Sequence, residues 1–155
     1  MADLPIQSFS VSLVILREVA GEAEVLLLQR SATLMGEWCQ VTGTIEAEET
    51  AWQAALREMR EETGLSPLRL YSADICEQFY EPHRDAITLV PVFVAFVDYD
   101  VEIVLNPEHS GYKWVSLDWA EDMVAFGGQR RVLRHVKQEF VVRDANEALR
   151  IQLPS

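Results

Sequence analysis

Cysteine is scarce: Cys39 and Cys76 are the only two in 155 residues. They are too few for a disulfide framework, so a reducing cytoplasm is the expected setting. Proline and glycine are sparse too, with 6 and 7 residues and no Pro/Gly/Ser-rich stretch. Collagen-like repeats and low-complexity linkers are thereby excluded, and residues 1–155 are expected to form a single domain. No apolar run approaches the roughly 20 residues that span a bilayer. Met1 to Ser10 lacks the basic and apolar regions of a secretory signal, so no membrane association is expected. Basic side chains are outnumbered: 13 Lys and Arg against 25 Asp and Glu leave a net charge of -12. That excess disfavours nucleic acid and anionic membranes as partners. A small anionic substrate stays compatible, because a divalent metal inverts the field locally.

What is present is an ordinary supply of core-forming residues, 49% hydrophobic. Phe9 to Arg17 and Val25 to Arg30 are β-rich runs flanking a turn signal at Gly21, and read as a hairpin. A loop follows to Gly43, ending in a short strand around Trp38–Val41. Thr50 to Glu62 is built of strong helix formers and stops at Gly64. Leu68 to Tyr80 and Ala86 to Tyr99 read as long strands, the second with Pro91 hinting at an edge or a bulge. Tyr112 to Ser116 reads as a short strand and Leu117 to Phe126 as a short helix. Gln129 to Ala145 reads as a longer helix with Val132, Leu133, Val136 and Phe140 on one face, and the tail after Asn146 is expected to fray. The class is α/β or α+β, with strands enclosing a central helix.

The chemistry is concentrated between Gly43 and Leu65. On a helix advancing about 100° per residue, Ala51, Ala54, Ala55, Glu58, Glu61 and Glu62 fall within roughly 60° of one direction. Trp52, Leu56 and Met59 form a second, apolar face. One stripe therefore begins as small residues and ends as three carboxylates. Glutamates on helices are ordinarily solvated surface, but carboxylates at i, i+3 and i+4 repel one another and raise each other's pKa. They also occupy the last turns, where the helix dipole disfavours negative charge. A hard cation would relieve both effects, and oxygen donors suit Mg²⁺ or Mn²⁺.

The same segment resembles the Nudix box, Gly-x5-Glu-x7-Arg-Glu-U-x-Glu-Glu-x-Gly-U with U aliphatic. Gly43, Glu49, Arg57, Glu58, Met59, Glu61, Glu62, Gly64 and Leu65 fill every specified position. The resemblance implies an α/β/α sandwich with a mixed, curved sheet. It implies a Mg²⁺-dependent (or Mn²⁺-dependent) hydrolase that cleaves a nucleoside diphosphate linked to another moiety by in-line attack of water. Glu58, Glu61 and Glu62 match the carboxylates that bind metal, and Gly43 matches the loop glycine whose carbonyl adds a ligand. Arg57 matches the arginine that orients carboxylates, with Glu49 as its partner. The box does not specify the general base. Glu108, before the Trp114 strand, is the candidate for base or metal ligand, with His109 ranked below it.

A looser likeness, carried by Trp38–Gly43, Glu108-His109 and Tyr112-Lys113-Trp114, is to Nudix enzymes that release pyrophosphate from dihydroneopterin triphosphate or dATP, the former a step of folate synthesis. It implies a nucleoside or pterin triphosphate as the small-molecule partner. Trp38 and Tyr112 are then candidate stacking platforms, and Arg30 and Lys113 candidate phosphate contacts; core packing and surface charge are the competing roles for these four. The alternatives are hydrolases of oxidised dGTP, diadenosine polyphosphates or sugar nucleotides. ADP-ribose hydrolases often carry a proline about 15 residues beyond the box, where Tyr80 stands here. A non-catalytic nucleotide sensor is disfavoured by the complete set of carboxylates, and an acidic interaction protein is a third reading. Monomer and homodimer are both compatible.

Overall fold

The computed structural model describes residues 1–154. Along the chain run β1 (Ile6–Gln7), β2 (Ser10–Val19), β3 (Glu22–Arg30), β4 (Trp38–Cys39), β5 (Val41–Thr44), α1 (Ala51–Thr63), β6 (Arg69–Glu81), β7 (Ala86–Phe96), β8 (His109–Ser116), α2 (Leu117–Met123), α3 (Gly127–Val136) and β9 (Arg150–Ile151). The strands form one mixed sheet in the order β4-β3-β2-β7-β6-β9, with β1 added to β7, β5 to β2 and β8 to β3. β2 runs parallel to β7 and antiparallel to β3. Helices cover both faces, so the layers are the expected α/β/α sandwich.

Strand alternation divides the apolar residues between two cores. Val14, Leu16, Val25, Leu27 and Val94 pack towards α2 and α3, with Leu133 and Val136. Leu13, Ile15, Leu26, Leu28 and Ala95 pack on the other face against Ala54, Ala55 and Met59 of α1. Of the alanines predicted to permit close approach, Ala54 and Ala55 are fully buried and Ala51 is partly buried. α1 opens with a reciprocal cap, Gln53 N donating to Thr50 Oγ1 at 3.2 Å and Thr50 N to Gln53 Oε1 at 2.8 Å. It closes on Gly64 with φ +76°.

Of the two readings of Pro91, an edge or a bulge, the bulge holds, and two further details differ from expectation. β7 is an interior strand, hydrogen-bonded to β2 on one side and β6 on the other. Pro91 is accommodated because β6 bulges between Ser72 and Cys76, opposite it, while the other side falls in the gap between β1 and β2. There Ser8 Oγ donates to Leu89 O at 2.8 Å. The C-terminal helix is not continuous: α3 gives way to a wide π-helical turn at Lys137–Val142. Phe140 stays buried in it, 5.7 Å from the Tyr71 ring centroid. The tail does not fray either, since Leu70 and Tyr71 pair with Ile151 and Arg150 and add a strand beside β6. Among the described residues, no helix is long and apolar enough to cross a membrane.

Candidate active site

α1 delivers its carboxylates to three different environments. Glu62 faces inward and is 1% exposed. Burial, reinforced by Glu58 and Glu108 and opposed by Arg30, pushes its carboxyl up to about 9. Its Oε1 lies 3.5 Å from His109 Nε2, and its Oε2 is shielded from solvent without a hydrogen-bond partner. Glu58 lies against β5, where a Cβ on Gly43 would stand 2.2 Å from Glu58 Cδ. Only glycine permits that approach. Glu61 turns towards solvent, its side chain 53% exposed.

Arg57 ties the helix to the preceding loop. Its Nε and Nη2 meet Glu49 at 3.1 and 2.7 Å, Nη2 donates to Thr44 O at 2.8 Å, and Nη1 reaches Glu58 at 2.8 Å and Glu61 at 3.3 Å. The Glu49 hydrogen bonds hold that carboxyl below its usual range. The partner expected for Arg57 is therefore in place, with Glu58 and Glu61 added. The like charges on α1 are thus spread over one guanidinium.

β8 supplies the opposite wall. Arg30 and His109 are paired across β3 and β8 at a register shift. Glu62, Glu108 and His109 offer ligand atoms that all lie within 4.8 Å of one another. Glu108 is the exposed member, and His109 is buried, 7% exposed. Burial lowers the pKa of His109 against the opposing pull of Glu108, so the imidazole is neutral at pH 7 and able to ligate a metal. An orphaned, buried carboxylate oxygen beside an exposed carboxylate and a neutral imidazole fits a divalent cation. The structure brings His109, second to Glu108 in the sequence reading, into the same cluster as Glu62.

A larger cavity of about 390 Å³ opens on the α3 face. Trp38, Phe79, Phe126 and Leu34 line it, together with Glu77 and Gln129. Arg30 and Thr42 line both this cavity and the acidic pocket that holds Glu62, Glu108 and His109. Trp38 is therefore placed where a ring could stack. Tyr112 is not among the lining residues; it is 45% exposed, and its strand partner Leu28 belongs to the α1-side core. Lys113 sits over the Trp38 ring at 5.3 Å from the centroid. Arg30 donates to Thr33 O at 3.0 Å and approaches Cys39 Sγ at 3.8 Å. Phe79, Phe126 and Glu77 were not foreseen, although Glu77 and Phe79 stand two apart on one strand and so share a face.

A mixed sheet between helices, with an acidic helix beside a cleft lined by aromatic and basic side chains, is the arrangement that the resemblance to the Nudix hydrolases implies. The NUDIX domain model matches residues 8–136, so the chain belongs to the Nudix family of hydrolases. It is 31% identical over 127 residues to the asymmetrical bis(5'-nucleosyl)-tetraphosphatase of Caenorhabditis elegans, covering 81% of this chain and 91% of that one. An octanoyltransferase of Myxococcus xanthus is 33% identical over 134 residues, which are 85% of this chain but only 37% of that protein. Among solved structures, the dihydroneopterin triphosphate pyrophosphohydrolase of E. coli superposes with TM-score 0.70 at 27% identity, covering 89% of this chain and 95% of that one.

Proposed function

We propose that this chain hydrolyses a phosphoric anhydride in a polyphosphate carried by a fused-ring base, using Mg²⁺ with Mn²⁺ as a substitute. The observation that carries this reading is the contact of the two clefts: Arg30 and Thr42 line both the acidic pocket and the aromatic cavity. A ring held against Trp38 would hand its phosphates past Arg30 to Glu62. Bis(5'-nucleosyl) tetraphosphates are the leading substrates, supported by the likeness to the worm enzyme. The likeness to the E. coli enzyme supports dihydroneopterin triphosphate, and with it dATP-like triphosphates, as the second reading.

The cluster of Glu62, Glu108 and His109 supports the reading that these groups would hold the cation, with Glu58 and the Gly43 carbonyl as the further ligands that the family resemblance implies; Glu61 would have to turn away from Arg57 to join them. When bound, the cation neutralises phosphate charge and lowers the pKa of attacking water. Glu108, exposed at the pocket, is assigned, as the alternative to ligating the cation, to take the water proton as the new oxygen–phosphorus bond forms. The anhydride oxygen leaves with the bonding pair and is protonated from solvent. Arg57 keeps Glu58 and Glu61 oriented, and Arg30 supplies a donor for the phosphates.

The test is a panel of diadenosine and diguanosine tetraphosphate, dihydroneopterin triphosphate, the dNTPs, oxidised dGTP and ADP-ribose, with Mg²⁺ and with chelator. The proposal expects unequal mono- and triphosphate products from the tetraphosphates, or monophosphate and pyrophosphate from the triphosphates. Turnover that persists in chelator, or its absence across the whole panel, refutes it.

A further inference from the structure

Beyond its bulge, β6 is an open edge of the sheet. β9 pairs with Leu70 and Tyr71 alone, and among the described residues no strand lies outside the run from Cys76 to Glu81. The direction of its backbone groups follows from β7. Ile87 N donates to Pro5 O at 2.9 Å and Leu89 O accepts from Ser8 Oγ at 2.8 Å, so both residues turn their backbone polar groups away from β6. Thr88 and Val90, which alternate with them, therefore bond to their register partners Phe79 and Glu77. Cys76, Gln78 and Tyr80 are left with N–H and C=O directed outwards, and all three residues are exposed. Open edges of this kind are ordinarily guarded by lysine, proline or an awkwardly placed charge. Residues 75–80 read Ile-Cys-Glu-Gln-Phe-Tyr, with neither lysine nor proline, and Phe79 and Tyr80 are 41% and 51% exposed. The single charged residue there is Glu77, which shares the cavity wall with Arg131, whose charge opposes its own.

We propose that this edge pairs with the same edge of a second copy of the chain, the two β6 strands running antiparallel about a two-fold axis at Gln78. That register is self-complementary, as a two-fold interface requires. Gln78 meets the partner's Gln78 and Cys76 meets the partner's Tyr80. Every outward N–H and C=O of these residues then finds a mate, about six hydrogen bonds in all. On the α3 face Glu77 stands opposite the partner's Phe79 rather than another acid, and on the other face amide meets amide. Two chains of net charge -12 thus touch along a stretch where no like charges are opposed. A strand of strongly charged sequence would gain the backbone bonds but no complementary row of charge, so a second copy is the occupant that fits. Because Gln78, Phe79 and Tyr80 also line the aromatic cavity, the second copy borders that cavity, and the pair carries one on either side of its axis.

Sedimentation equilibrium of the wild-type protein in reductant reads the association. It is expected to show twice the mass of one chain, falling towards a single chain on dilution through the micromolar range. Gln78→Pro removes an outward N–H at the centre of the edge and no bond to β7, so it is expected to leave a folded monomer, with folding checked by circular dichroism. Cross-linking tests the register. Residues opposed in a hydrogen-bonded pair stand about 5.5 Å apart at Cα, within disulfide reach. In a Cys76→Ser background, where the remaining Cys39 is buried, Gln78→Cys is expected to give a covalent dimer on oxidation. Tyr80→Cys in the same background, displaced from its own copy by roughly 13 Å along the strand, is expected to give none. Restoring Cys76 beside Tyr80→Cys should bring the cross-link back. A wild type that keeps the mass of one chain at every concentration overturns the proposal, even if Gln78→Pro does not fold. So does a dimer that a folded Gln78→Pro leaves intact, or equal cross-linking of the two Cys76→Ser variants. No turnover is read, so the hydrolytic reading stands or falls separately.

Discussion

Replacing Glu62 by Gln should abolish turnover while making the metal-free protein more stable. The carboxyl lies 1% exposed, and its pKa is raised from 4.5 to about 9. In the unfolded chain it ionises near 4.5, so at pH 7 folding must reprotonate it. The difference of 7 minus 4.5, at about 1.36 kcal/mol per pH unit, gives a penalty of about 3 kcal/mol. Because the folded pKa is the higher one, this group's stability is fully present below about pH 4.5 and is lost as pH rises towards about 9. Glutamine keeps the shape without the titration. In chelator at pH 7, Glu62→Gln should melt roughly 6–12 °C above the wild type, at about 2–4 °C per kcal/mol for a domain of this size. Added Mg²⁺ closes most of the gap. At a hundredfold excess over its dissociation constant it stabilises the wild type by about 2.7 kcal/mol, and the variant gains far less. Scanning fluorimetry at pH 5, 7 and 8.5, with EDTA and with Mg²⁺, reads every term, and kcat should fall by orders of magnitude. A variant less stable than wild type in EDTA, or equally stabilised by Mg²⁺, refutes the reasoning.

Gly43→Ala places a Cβ 2.2 Å from Glu58 Cδ; the strand must shift, and urea melts should show a loss of about 1–3 kcal/mol with a fall in kcat. Arg57→Lys keeps the charge but gives up the two-pronged contact with Glu49 and the bond to Thr44 O. A loss of about 1–2 kcal/mol in denaturant melts is expected, with aromatic packing unchanged by near-ultraviolet dichroism. Glu108→Gln should flatten the acidic limb of the kcat/KM profile; an unaltered profile removes Glu108 from proton transfer.

The fold was most legible where physical signals agreed. In α1, strong helix formers, a stripe of alanines, Thr50 before the helix and Gly64 after it all pointed to one element, and its register placed the carboxylates correctly on one side. What sequence could not convey was how three similar glutamates would divide among solvent, a guanidinium and the interior. That depends on β8, nearly fifty residues away, bringing His109 under Glu62. Pro91 signals the bulge rather than an edge, because a proline's missing donor is tolerated in an interior strand when the neighbour bulges. The tail was misjudged because nothing local specifies that Leu70 and Tyr71 lack a partner on their outer side. The cavity was illegible for the same reason: Trp38, Phe79 and Phe126 meet only after β4, β6 and the α2–α3 turn are assembled.

The acidic pocket and the aromatic cavity are built from opposite layers of the sandwich and touch only at the rim, through Arg30 and Thr42. Selection can therefore act on them separately. On the proposed function, a lineage could exchange its ring ligand by altering a few positions on β6 and in the turn before α3, leaving the carboxylates of α1 untouched. New preferences become accessible by single steps, each starting from a working catalyst.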